Sequence, residues 1–387
     1  MTIVTTEKLD RVHEAYKSGK ISRRHFIKYL TMAGATLGIM SSPLGRMMTE
    51  ARAADSIRFD GWGGTVSEAF RKHAFKPFEE ATGIEVIDGE FGDMNSYLTR
   101  VKASYPPGGE FNIAHLSAVF DYARYVNLGF STSLDESKIP NLKNVMESMI
   151  TPLREISGGS LSAVPYDLGQ TGIAYNTDHV SKEKAEKLGA SLLWDKELKG
   201  KLGSWGGDFR TNMWYAALHT GQSPNNMTDM DAIWAALREQ RDLMKKYWSS
   251  GAELMSLLAN GEIYATVAWS GRVAALQQEG HPIGYLSPEG TYSWMEYLFV
   301  LKGTDLEVAQ KLLNFMLEPE AAIAVAEGQN YPPSLDPTKV ELTEKIKKLP
   351  AFDPTGKLKG YLFAEPSYWN DNQVEWTEKW DRIKAGS

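Results

Sequence analysis

The chain contains no cysteine among its 387 residues. That excludes disulfides, thiolate nucleophiles and zinc-thiolate sites together. Histidine is scarce. The seven are His13, His25, His73, His115, His179, His219 and His281, and no pair has the i, i+4 spacing of a metal-binding helix. A G-x-S-x-G nucleophile elbow is missing; Ala268-Trp269-Ser270-Gly271 approaches it without the first glycine. The glycine cluster Gly61-Trp62-Gly63-Gly64 matches neither G-x-G-x-x-G nor G-x-x-x-x-G-K-[ST]. It reads as a tight turn presenting Trp62 instead of a phosphate cradle. No residue pattern points to catalysis, to a metal or to a cofactor, and none of the three is expected.

Long apolar runs are also absent. The longest candidate, Tyr29 to Met40, is interrupted by Gly34 and Gly38 and falls short of the roughly 20 apolar residues of a spanning helix. It follows Ser22-Arg23-Arg24-His25-Phe26-Ile27-Lys28 and precedes Ala51-Arg52-Ala53-Ala54. Paired arginines, a weakly apolar run and a small-residue cleavage pattern, in that order, are the layout of a twin-arginine export signal. Residues 1–54 are therefore predicted to be a leader read by the twin-arginine translocase, and the product to be periplasmic. Nine of the 42 Lys and Arg and four of the 49 Asp and Glu lie in that leader, so the formal charge moves from −7 for the whole chain to −12 for residues 55–387. An acidic surface disfavours nucleic acid and anionic lipid.

Residues 55–387 alternate strand and helix patterns, which argues for α/β layers. Ser56 to Asp60 reads as a strand. Val66, Phe70, Ala74 and Phe78 follow at helical spacing, Gly83 stands where a left-handed C-cap belongs, and Ile84 to Ile87 reads as the next strand. Further strands are expected over Leu161–Pro165, Gly172–Tyr175, Ile263–Trp269, Ile283–Leu286 and Glu296–Leu301. Helices are expected over Trp214–His219, Asp229–Tyr247, Val273–Glu279 and Leu306–Met316.

Three segments carry a family resemblance: Phe78-Glu79-Glu80-Ala81-Thr82-Gly83-Ile84-Glu85-Val86; Val164-Pro165-Tyr166-Asp167-Leu168-Gly169-Gln170-Thr171-Gly172-Ile173-Ala174-Tyr175-Asn176; and the run from Leu257 through Trp269-Ser270-Gly271 to Trp294-Met295-Glu296, with Leu313 to Glu320 after it. Together they resemble the periplasmic substrate-binding proteins of bacterial ABC importers, specifically the spermidine/putrescine-binding group. The resemblance implies a type II periplasmic binding protein: two α/β lobes joined by a hinge, with the ligand cleft between them. Lobe 1 would comprise residues 55–166 and 296–330, lobe 2 residues 167–295 and 331–387. It also implies a monomer that captures a small organic amine by cleft closure and delivers it to ABC permease subunits.

Carried over residue by residue, the family's aromatic box falls on Trp62, Trp269 and Trp294, and its ammonium-binding carboxylate on Glu296. Aromatic faces suit an ammonium and its methylenes, and a buried ammonium needs a carboxylate. Asp167 and Asp208 are further candidates. Trp194, Trp205, Trp214, Trp234 and Trp248 read as packing or surface residues. The chain departs from the family at Gly206 to Asn212, where only Asp208 could serve as an acidic contact, and at Arg272, which has no counterpart in a site for a dication. A guanidinium facing Glu296 would suit a zwitterion. Polyamine, ω-amino acid and quaternary amine all stay open, as do a secreted enzyme acting on an amine through Asp167, Asp208 or Glu296, and a ligand sensor feeding a receptor.

Overall fold

The structure, a computed structural model, describes residues 56–91, 94–104 and 110–386; the predicted export signal lies outside them. The first layer begins as the alternation requires. Strand β1 (Ser56–Gly61) leads through a turn in which Gly63 and Gly64 have φ of 73° and 55°, values that favour glycine. Helix α1 (Gly64–Phe70) runs through one π-helical turn, Arg71–Phe75, into α2 (Lys76–Thr82). The stripe Val66, Phe70, Ala74 and Phe78 is buried along all three segments. Gly83 caps α2 in the left-handed conformation at φ 74°, and β2 (Glu85–Glu90), α3 (Met94–Ala103), β3 (Ile113–Ser117), α4 (Val119–Asn127) and α5 (Glu147–Ile156) follow.

The next strand differs from expectation. Leu161–Pro165 and Gly172–Tyr175 are not two strands but parts of one, β4 (Ala163–Asn176), buried along thirteen of its fourteen positions. Asp167, Gly169 and Gln170 break the apolar pattern in the sequence, yet the backbone stays extended because β9 pairs with it on one side, while on the other Pro332 and Ser270 accept from the N–H groups of Leu168 and Gln170. Helix α6 (Lys182–Leu188) and strand β5 (Leu202–Trp205) come next. Helix α7 (Phe209–His219) starts five residues before Trp214, where Asp208 caps it by accepting from Arg210 N–H. The predicted Asp229–Tyr247 helix ends early: α8 (Met230–Leu243) gives way to strand β6 (Met244–Trp248), which pairs in parallel with β5. Then come α9 (Gly251–Ala259), β7 (Ala265–Trp269), α10 (Ser270–Gln278), β8 (Ile283–Leu286), β9 (Tyr292–Val300), α11 (Leu306–Met316), α12 (Pro319–Gln329) and α13 (Glu344–Lys347). Strand β10 (Leu362–Phe363) and helices α14 (Pro366–Asp371) and α15 (Gln373–Ala385) close the described chain.

The strands form one mixed sheet in the order β2-β1-β3-β9-β4-β7-β5-β6, with β10 on β9 and β8 on β4. Two large hydrophobic cores flank it. The first gathers residues 57–168 with 295–325 and Leu358, and includes Phe59, Phe70, Tyr97, Tyr122 and Leu298. The second gathers mainly residues 173–294 with 364–383 and includes Trp214, Leu237, Trp248, Val267 and Trp376. Strands β4 and β9 are the long antiparallel pair that contributes to both, β4 up to Leu168 and β9 from Met295 to the first core, the remainder to the second. What lies where these strands pass from one core to the other is therefore walled by both.

Candidate functional site

At that crossing, antiparallel register fixes which side chains meet. Strand β9 runs between β3 and β4, and Glu296 stands opposite Ser117 on one side and Asp167 on the other. Period-two alternation puts Tyr292, Trp294 and Glu296 on one face of β9. A cavity of about 220 Å³ opens there. Trp62, Trp205, Trp269, Trp294, Tyr292 and Tyr331 supply its aromatic walls, and Asp121, Asp208, Arg210, Arg272 and Glu296 its charges.

Trp62 reaches the wall from the glycine turn after β1 and packs edge-on against Phe91, with centroids 5.1 Å apart. Trp269 ends β7 and meets Trp205 and Trp248 edge-on at 5.2 and 5.1 Å. Trp294 is held by its indole N–H donating to Thr171 Oγ1 at 3.2 Å and by an edge contact with Tyr331. Trp205, read from sequence as packing or surface, lines the cavity. Trp194, Trp214, Trp234 and Trp248 are buried in the second core.

The charges form two groups. In the first, Arg272 starts α10 and donates from Nη1 to Thr65 Oγ1 at 3.0 Å, joining α10 to α1. Burial pushes the Glu296 carboxyl up to about 8, against the pull of the Arg272 guanidinium. In the second, Arg210 Nε lies 3.0 Å from Asp208 Oδ2. Burial raises Asp121 to about 6, with Arg210 and Arg124 opposing. Asp121 enters through a strained corner, because the Ala118 that precedes α4 has φ 67° and ψ 146°.

Asp167 does not line the cavity. It is fully buried behind Glu296, where Gln329 Nε2 donates to its Oδ2 at 2.6 Å. Next to both lies His115, also fully buried, with Nε2 at 2.7 Å from Glu296 Oε2 and 3.8 Å from Asp167 Oδ2. Burial holds this imidazole down to about 4 and pushes Asp167 well above the carboxylate range. These three side chains are the described residues whose donor atoms could gather round a metal, all lying within 4.8 Å of one another. Six of the seven sequence-predicted residues, Trp62, Asp208, Trp269, Arg272, Trp294 and Glu296, thus share one cavity, and Asp167 supports it from behind. Asp121, Arg210, Tyr292, Tyr331 and His115 were not anticipated. Of these, Arg210, two residues from Asp208, and Tyr292, two residues from Trp294, lay near predicted contacts.

Residues 73–354 match the family described as bacterial extracellular solute-binding protein. The putrescine-binding periplasmic protein SpuD of Pseudomonas aeruginosa (strain UCBPP-PA14) is 25% identical over 376 residues, spanning 92% of this chain and 97% of that protein. The spermidine/putrescine-binding periplasmic protein of Escherichia coli (strain K12) is 27% identical, spanning 79% and 83%. A putative spermidine/putrescine ABC transporter structure from Listeria monocytogenes superposes with a TM-score of 0.72 at 22% identity, covering 85% of this chain and 99% of its own. That likeness concerns the fold.

Proposed function

Because the chain belongs to the bacterial extracellular solute-binding protein family, we propose that its cavity captures a small amine in the periplasm and that the protein delivers it to an ABC permease as a binding subunit, not an enzyme. The observation that carries this reading is the aromatic cavity walled by both cores, with the Glu296 carboxyl at its floor. Trp62, Trp269 and Trp294 offer π-faces to an ammonium, each desolvated contact contributing about 0.5–2 kcal/mol. Glu296 supplies the counter-charge that a buried ammonium needs. The relatives named for putrescine and spermidine support an amine. Arg272 and Arg210 on the same walls favour an amine that also bears a carboxylate over a bare polyamine.

Closure follows from linkage: a ligand favours the closed form only by what it touches on both lobes at once. We assign residues 55–166 and 296–330 to one lobe and 167–295 and 331–387 to the other, a division supported for residues 57–166, 173–294, 296–325 and 364–383 by the membership of the two cores. Residues 1–54 serve as the twin-arginine leader, on the strength of Arg23-Arg24 and the Ala51-Arg52-Ala53 pattern. The test is a thermal-shift screen against polyamines, ω-amino acids, quaternary amines and sugars. A true ligand at a hundredfold excess over its Kd stabilises by roughly 2.7 kcal/mol. Stabilisation by sugars and by no amine would overturn the reading.

A further inference from the structure

Register brings to Glu296, behind the cavity wall, two further titratable side chains that the capture of an amine does not by itself require. Asp167 on β4 is the cross-strand partner of Glu296 on β9. His115 on β3 is paired with Leu298, two residues along from Glu296, so it lies diagonally to Glu296 on the same face. Two carboxyls directly opposite each other in a sheet interior cannot both ionise at ordinary pH, since like charges at close range in a low dielectric repel strongly. Resting on the amine reading above, we propose that His115, Asp167 and Glu296 form a proton-holding site behind the cavity, and that the protein takes up the ammonium of its ligand in exchange for one of those protons.

The surroundings decide the proton inventory. Facing the three groups are Gln329 at the end of α12, whose amide donates to Asp167 Oδ2, Tyr166 on β4 and Tyr331 after α12, both kept neutral by burial, and Ser117 on β3. Arg272 on α10 is the one full charge acting on Glu296 among them. Neither ring nitrogen of His115 and not Asp167 Oδ1 has an aligned hydrogen-bond partner among the described residues. A buried cluster of this kind is held near zero net charge. Because the half-exposed Arg272 is turned to Thr65 and screened by solvent, the buried groups balance among themselves: with two carboxyls and one imidazole, neutrality requires two acid protons, whether both sit on the carboxyls or one sits on the ring. An ammonium arriving at Glu296 changes the condition for neutrality: the cluster then balances at net −1, with one proton fewer. A metal ion fits the same groups less well. The 2.7 Å between His115 Nε2 and Glu296 Oε2 is shorter than the roughly 3.4 Å that separates two ligands at about 2.1 Å from one tetrahedral metal.

The experiment has two parts on the exported protein. Infrared spectra of ligand-free protein near neutral pH should show a protonated-carboxyl band that diminishes in Glu296→Gln and in Asp167→Asn. Calorimetry with putrescine and with 4-aminobutanoate, each in phosphate and in Tris, should show for a binding amine about one proton released per ligand, with affinity rising up to about tenfold for each unit by which pH is raised toward neutrality. An unliganded wild type without the band overturns the proton-holding site, and a bound amine with buffer-independent heat overturns the exchange. Failure of both amines to bind would instead refute the proposed solute class, while the infrared band still decides whether the cluster holds protons. The wild-type measurements stand alone should either variant fold poorly.

Discussion

Gly169→Ala tests whether the cavity wall is as tightly built as the contacts indicate. Gly169 carries β4 across the face of Trp294, and an added Cβ would lie 2.3 Å from the indole Cη2 and 2.4 Å from Cζ2. Its φ is not among the positive ones, so the backbone accepts alanine and only the contact matters. Carbon–carbon contact is comfortable from about 3.5 Å, so the ring must withdraw by roughly 1.2 Å or more. It cannot do so freely, because its N–H is held by Thr171 and its ring by the edge contact with Tyr331. Overpacking costs about 1–3 kcal/mol and the loosened hydrogen bond about 1 kcal/mol more. The sum, about 2–4 kcal/mol, corresponds to a fall in Tm of roughly 3–6 °C for a unit of this size. Displacing one aromatic wall should also weaken an amine ligand roughly 3- to 30-fold. Scanning calorimetry and ligand titration read both effects, and adding Trp294→Phe, which removes the clashing atoms, should restore most of the lost stability. A Gly169→Ala protein that melts and binds like wild type would refute this account of the wall.

Trp269→Ala should weaken amine binding about tenfold or more, whereas Trp234→Ala, buried in α8 away from the cavity, should lower Tm and leave affinity nearly unchanged; equal affinities would remove Trp269 from the site. Arg272→Gln should weaken only ligands that carry a carboxylate and spare or improve a polyamine, because like charges in a closed cleft repel; a uniform loss across both classes would contradict that role. The ligand-free protein should lose stability as pH rises from about 6.5 to about 8: Glu296, raised to about 8 in the fold, holds a proton there that the unfolded chain has released. The loss is on the order of 2 kcal/mol. Below about 6.5 the lowered His115 opposes the trend, since the unfolded chain binds the extra proton, and Glu296→Gln should flatten the slope above it. Replacing Arg23 and Arg24 together by Lys should block export, with periplasmic yield as the readout and undiminished yield as the contrary result.

Fold and site were legible to different depths. Leu306–Met316 and Ile283–Leu286 appear with the predicted bounds because their apolar spacing matches one burial pattern. Met244–Trp248 escaped because Lys245 and Lys246 continue the polar face of α8, and only pairing with β5 makes the segment a strand. The unity of β4 was hidden by Asp167 and Gly169, polar or small at positions that the fold buries. Trp62, Trp269, Trp294 and Glu296 could be named because a family resemblance carries their type and position. His115 and Asp121 could not, since what brings them to the site is strand register and the packing of α4 against α14 and β9, neither of which is written in local sequence.

Isothermal calorimetry on the exported protein with 4-aminobutanoate and putrescine, followed by chemical analysis of the recovered ligand, tests the central claim most directly. One equivalent of an amine bound, recovered unchanged, and bound at least tenfold more weakly by Glu296→Gln is the expected result. An amine converted to product, or no amine bound at all, would contradict it.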